Sequence, residues 1–232
     1  MNSRSRFFSK GNIFIKIRSK YILQRIFAHL QINKSLEIIK YNKIINKRLN
    51  KNINDYKKEY FKIEIELFPA ENKYGKFINI QKGYESYFNI YFNDTKEEIK
   101  RTIIYEKENV KKLKIIIDYK MNYFFKLFNK CECIQKINFL KSKRNDINDT
   151  NFLFNECSSL KELYVPNLNT DNLEQMSFMF SGCSSLDKLD ISNFNSKKVK
   201  KMNYLFYGYK SLKELNLSNF KTMNVIDMNS MF

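Results

Sequence analysis

The chain repeats itself every 26 residues over its second half, and no other feature narrows its fold so far. Aligned on a phenylalanine, the copies give Phe128, Phe154, Phe180 and Phe206, with Phe232 closing the series. A second column runs Cys131, Cys157, Cys183 and then Tyr209. Behind it stand Ile134–Ile137–Phe139, Leu160–Leu163–Val165, Leu186–Leu189–Ile191 and Leu212–Leu215–Leu217. Asn167, Asn193 and Asn219 follow, then Ile147, Leu173, Val199 and Val225, with Met176, Met202 and Met228 three residues later. Self-similarity in so many columns marks a repeat architecture.

Each copy carries two apolar residues two positions apart, which puts both on one face of a short strand. Val199, Met202, Leu205 and Phe206 fall at i, i+3, i+6 and i+7, the spacing of a helical turn or short helix. One strand and one helical arc cannot bury their own apolar face, but stacked copies can. The fold class expected is therefore α+β. A solenoid with a parallel strand ladder and short helices occupies residues 110–232, its copies starting near 124, 150, 176 and 202. The asparagine column is expected to bond neighbouring backbone after each strand. Val110, Leu113 and Ile115 read as a zeroth strand, and Met228–Phe232 as the opening of a further, truncated copy. That open rung suggests either a fragment of a longer protein or an end-to-end contact with a partner.

The string MSFMFSGCSSLDKLDISNFNSKKVKKM resembles the BspA-type leucine-rich repeats, in the subgroup of mycoplasma lipoprotein-like and protist proteins. The resemblance spans about residues 121–232 and implies a leucine-rich-repeat solenoid that binds proteins or serves surface adhesion. The first copy, KCECIQKINFLKSKRNDI, lacks the Ser-Ser and Ser-Asn marks of the others.

Catalytic chemistry finds little material. The chain has 4 cysteines, 1 histidine and 5 glycines, so it offers no phosphate-binding glycine loop and no histidine near a cysteine. Three of the cysteines recur with the period, as small buried hydrophobes do. Cys131-Glu-Cys133 is not a zinc-knuckle spacing, and His29 is remote in sequence. We expect no enzyme activity, no cofactor and no metal.

What remains is the face of the strands. Alternation turns Lys136 and Asn138, Glu162 and Tyr164, Lys188 and Asp190, and Glu214 and Asn216 outward. Such a strip is where a rigid repeat array contacts a protein partner, and Tyr164 is its expected anchor.

The 42 basic and 24 acidic residues give a net charge of +18, and the excess is concentrated in residues 1–60. Abundant Lys, Asn, Ile, Phe and Tyr also point to an AT-rich genome, which tempers any argument from lysines. Residues 1–58 read as a basic helical segment, with Ile22, Leu23, Ile26, Phe27, Leu30, Leu36, Ile39 and Ile44 or Ile45 at helical spacing. Arg18, Lys20, Arg25, Lys47 and Arg48 form its candidate basic patch for nucleic acid or an anionic membrane. The order of apolar residues in 19–50 also resembles an F-box, which implies a substrate adaptor of a ubiquitin ligase; a plain helical cap is the alternative. Residues 59–109 read as a small strand-rich segment, with YFKIEIELF, KFINI and YFNIYFND as strands. No apolar run suits a signal peptide or a membrane helix, so the expected location is cytoplasmic.

Overall fold

The computed structural model describes residues 14–30, 32–50, 54–55, 60–119, 121–142, 144 and 146–232. The chain divides into two compact units, Met1–Tyr60 and Phe61–Phe232.

Helices of the first unit include α1 (Lys20–His29), α2 (Ile32–Tyr41) and α3 (Lys43–Leu49). Ser19 caps α1 by accepting from the Ile22 amide, and Asn42 caps α3 by accepting from that of Ile45. Asn50 ends α3 in the left-handed conformation, with φ of 52°. Leu23, Phe27, Ile39, Ile45 and Leu49 make its core. Of the residues expected on the apolar side, Ile22 is exposed and Ile26 only partly buried, and of the alternatives Ile44 and Ile45 it is Ile45 that is buried. Ile22 follows Tyr21 on the outer face of α1, and the core position in α3 belongs to Ile45. The side chain of Leu36 lies outside the described residues.

The second unit is built on a six-stranded sheet in the order β4-β3-β6-β1-β7-β8. Its strands are β1 (Ile63–Pro69), β3 (Phe88–Phe92), β4 (Glu98–Ile99), β6 (Leu113–Ile117), β7 (Ile134–Ser142) and β8 (Glu162–Tyr164). β2 (Gly75–Lys76) pairs β5 (Ile103–Ile104), and β9 (Lys188–Asp190) pairs β10 (Glu214–Asn216). Of the strands read from the sequence, KFINI contributes only its first residue, Lys76, to the two-residue strand Gly75–Lys76. Phe77 and Ile78 are buried beyond it. Asn93 and Asp94, both left-handed, turn the chain after β3 as the sequence signals.

β6 is the strand that Leu113 and Ile115 announce, but it does not precede β7 in a parallel stack. β1 lies between them and pairs antiparallel with both, Ile65 opposite Ile115 on one side and Phe139 on the other. The boundary expected near residue 110 thus falls inside a continuous sheet. Residues 61–119 close the N-terminal side of the copies.

Copies of 26 residues then lie rung upon rung. β7 pairs β8 in parallel, and β9 pairs β10 likewise. Parallel bridges also link Tyr123, Asp149, Gln175, Lys201 and Asp227 in one series. Phe128 and Phe154 stack at 5.9 Å and 2°, Phe154 and Phe180 at 5.7 Å, and Phe180 and Phe206 at 5.9 Å. Asn167, Asn193 and Asn219 each donate a side-chain N–H to a backbone carbonyl of the preceding copy, at 3.0, 3.1 and 2.6 Å.

The helical arc expected after Val199 is absent, and among the described residues of 121–232 there is no helix. The apolar residues Val199, Met202, Leu205 and Phe206 are buried as their spacing predicts. Their backbone, however, bonds to the next copy and not along a helix. Phe178 N–H reaches the Asn203 carbonyl at 3.0 Å, Phe180 that of Leu205 at 3.1 Å, and Gly182 that of Tyr207 at 2.9 Å. Two left-handed residues per copy make this geometry: Lys126, Phe152, Phe178 and Tyr204 in one column, Lys130, Glu156, Gly182 and Gly208 in the other. A residue with positive φ cannot continue a right-handed helix.

Candidate partner-binding face

The eight side chains expected to point outward from the strands do so, but they differ sharply in what they have left to offer. Four neutralise one another: Lys136 pairs Glu162 at 2.5 Å, and Lys188 pairs Glu214 at 2.9 Å. Each pair bridges residues one period apart, so the repeat itself supplies the alternating charge. Asp190 and Asn216 bend back on the chain. Their Oδ1 atoms accept from the amides of Ser192 at 2.9 Å and Ser218 at 3.1 Å, forming the turn after each strand. The turn amide that Asp190 accepts from belongs to Ser192, whose hydroxyl also bonds this carboxylate and holds it below the usual carboxylate range. Asn138 is only partly exposed, and its Oδ1 is buried without a hydrogen-bond partner. Tyr164 is the exception, standing 59% exposed beside it.

β1 adds to this face residues that the repeat pattern does not contain. Phe68 lies opposite Lys136 and Glu66 opposite Asn138 in the β1–β7 register. The Lys136 ammonium sits 5.8 Å from the centre of the Phe68 ring. Lys112 and Lys114, flanking the start of β6, reach the β1 carboxylates, at 3.5 Å to Glu66 and 3.6 Å to Glu64. The Lys62 ammonium, hydrogen-bonded at 2.8 Å, holds the Glu64 carboxyl below its ordinary range despite partial burial. Alternation in IEIELF already puts Glu64, Glu66 and Phe68 on one side of a strand. What the sequence lacks is any sign that this strand lies against the first copy.

The cysteines belong to the interior. Cys131, Cys133, Cys157 and Cys183 are free and buried. The thiols of Cys157 and Cys183 donate to the carbonyls of Phe128 and Phe154, at 3.0 and 3.1 Å, tying each copy to the one before. Burial pushes the Cys183 thiol up to about 12 and that of Cys133 to about 11. A thiol so held supplies no thiolate nucleophile near neutrality. Tyr209 replaces cysteine in the fourth copy, and its hydroxyl is buried without a partner.

In the helical unit, Arg18, Lys20, Arg25 and Lys47 are exposed. Arg48 is a different matter: it is half-buried, and its guanidinium donates to the carbonyls of Ile15, at 2.9 Å, and Ile17. It ties the segment before α1 to α3 and is not part of an open basic patch. Arg25 donates to the Tyr21 hydroxyl at 3.4 Å on the outer face of α1. Among the described residues no helix is long and apolar enough to cross a membrane.

Taken together, the chain is a mixed α+β structure whose second unit is repeat-bearing and sheet-rich, with an outward strand face that is polar, charge-paired and marked by one exposed tyrosine. Residues 119–232 match the family model described as a Mycoplasma protein of unknown function, DUF285. The match begins just before the first copy and leaves the helical unit and most of the closing sheet outside it. No curated protein and no solved structure matches the chain.

Proposed function

We propose that this chain is a non-enzymatic binding protein of the BspA-like leucine-rich-repeat type, which holds a partner protein on the outward face of its strands. The observation that carries the reading is Tyr164. It is a large amphipathic side chain, mostly exposed, on a strand held in parallel register by β7, with Glu162 on the same strand face already paired to Lys136. A rigid tyrosine costs little ordering on binding and is the residue type that dominates interface energetics. The paired lysines and glutamates around it would form the polar rim.

The test is capture of partners from lysate with the full chain, the Tyr164→Ala variant and the Tyr164→Phe variant, at about 0.5 M salt. The reading expects one partner retained by the wild type, weakened about thirtyfold by alanine and much less by phenylalanine. Equal retention by Tyr164→Ala would overturn it.

A second reading rests on the helical unit. At 100° per residue, Tyr21, Ile22, Arg25 and His29 share the face of α1 opposite its buried Leu23 and Phe27. A basic, aromatic face of this kind suits a nucleic acid or an anionic membrane. It predicts binding that falls steeply with salt and disappears on charge reversal at Arg18, Lys20 and Arg25. The F-box-like adaptor reading would instead have this unit capture ubiquitin-ligase subunits at high salt.

A further inference from the structure

Away from the strand face, a cavity of about 500 Å³ opens where the closing segment meets the turns of the first three copies. Gln81 enters it from the closing segment, Tyr123 and Phe125 from the first copy, Asp149 from the second, and Glu174 and Gln175 from the third. A second cavity of about 320 Å³ adjoins it and shares Gln81, Tyr123 and Phe125.

Its chemistry is specific. Phe125 is 45% exposed, and the Lys126 ammonium stands 5.0 Å from its ring centre. The Tyr123 ring is steadied by its hydroxyl, which donates to Gln81 Oε1 at 3.2 Å. Of the two carboxylates, Glu174 already pairs with Lys200 at 2.8 Å. Asp149 differs. It is half-buried, its Oδ1 accepts only the Asn151 amide at 2.8 Å, and no lysine or arginine pairs with it among the described residues. Burial pushes its carboxyl up, the mark of a carboxylate lacking a counter-ion.

Two aromatic rings beside an unpaired, partly desolvated carboxylate match a cation with an apolar or planar body. A hard metal ion is a poor match, because it requires several converging oxygens. Among the described residues no group of three potential ligands forms such a set. We infer that this cavity binds an organic cation, a guanidinium or an alkylated ammonium, held against Tyr123 and Phe125 with Asp149 as its counter-ion. The site is separate from the strand face and does not depend on the function proposed for it.

The experiment is calorimetric titration of the full chain with three probes: N-acetyl-arginine methylamide, tetramethylammonium and, as a neutral comparison, glucose. The expected result is saturable binding of at least one cation, with glucose inert. Saturation by the arginine derivative alone would assign a peptide side chain as the natural occupant, and by tetramethylammonium alone an alkylated ammonium. Asp149→Asn keeps the Oδ1 acceptor for Asn151 and so preserves the turn; it should weaken binding about tenfold or more. Phe125→Leu should do the same, whereas Tyr164→Ala should change nothing. The inference is overturned if neither cation saturates, if glucose binds equally well, or if Asp149→Asn binds within about twofold of the wild type.

Discussion

Asn79 closes the first copy by doing the work of a copy that is not there. Between copies, the turn amides of one rung donate to carbonyls of the next: Phe128 to Leu153 at 2.9 Å, Lys130 to Asn155 at 2.8 Å. The first rung has no predecessor, so the carbonyls of Leu127 and Asn129 would be left without donors. Asn79 meets both, its backbone amide at 2.8 Å from the Leu127 carbonyl and its side-chain amide at 2.7 Å from that of Asn129. The same side chain reaches the Lys126 carbonyl at 3.0 Å. Asn79→Ala removes two side-chain bonds worth about 0.5–1.5 kcal/mol each, so it should cost about 1–3 kcal/mol. Water can reach part of this site, which favours the lower half of that range. In a domain of this size the change corresponds to a fall in Tm of about 2–4 °C per kcal/mol. Asn79→Asp is isosteric but sets carboxylate oxygens against two carbonyls, and should be worse than alanine by about 1 kcal/mol or more. Urea unfolding followed by far-UV circular dichroism gives the order, provided the m-value is unchanged. If aspartate proves as stable as alanine, the donor role assigned to Asn79 is refuted.

Two further substitutions probe the turns. Gly182 and Gly208 are both left-handed at φ of 72°, so alanine at either should cost about 1–2 kcal/mol in backbone strain. At Gly182 the new methyl would also lie 3.3 Å from the Glu156 Cα, whereas at Gly208 the nearest atom is at 3.9 Å, so Gly182→Ala should melt lower in a thermal scan. Tyr209→Phe removes a buried hydroxyl that has no partner and should stabilise the chain by about 1 kcal/mol, read as a rise in the urea midpoint.

Much of the stack could be read from the sequence because its contacts repeat. The Phe128, Cys131 and Asn167 columns each recur at the same interval, and a residue that meets its own counterpart leaves a periodic trace. The outward strand residues followed from simple alternation for the same reason. The closing sheet left no such trace. Leu113 and Ile115 alternate as a copy's strand does, and nothing local distinguishes a strand that stacks from one separated by β1. Asn79 is one asparagine among many, and its partners lie about 50 residues away. The turns misled for a different reason: Val199, Met202, Leu205 and Phe206 are buried in either geometry, so their spacing cannot distinguish a helix from a turn. The signal that could have decided it was Gly182 and Gly208, one period apart, since a glycine recurring in register implies a recurring positive φ. In the candidate face, the outward direction of all eight residues was legible. Which of them stay available was not, because the pairing of Lys136 with Glu162 and the turn role of Asp190 depend on side-chain geometry.

The spacing of the copies also sets how the chain can fold. Every rung-to-rung contact closes a loop of one period, so each added copy meets the same entropic cost and growth along the stack has no single slow step. Pairing β1 with β7 closes a longer loop of roughly 70 residues, Ile65 to Phe139, yet that cost rises only logarithmically and exceeds a one-copy closure by about 1 kcal/mol. A single well-placed hydrogen bond is of that size. The closing sheet is therefore no kinetic afterthought: it can seed the first rung nearly as readily as one rung seeds the next, and the array can be zipped from its closed end.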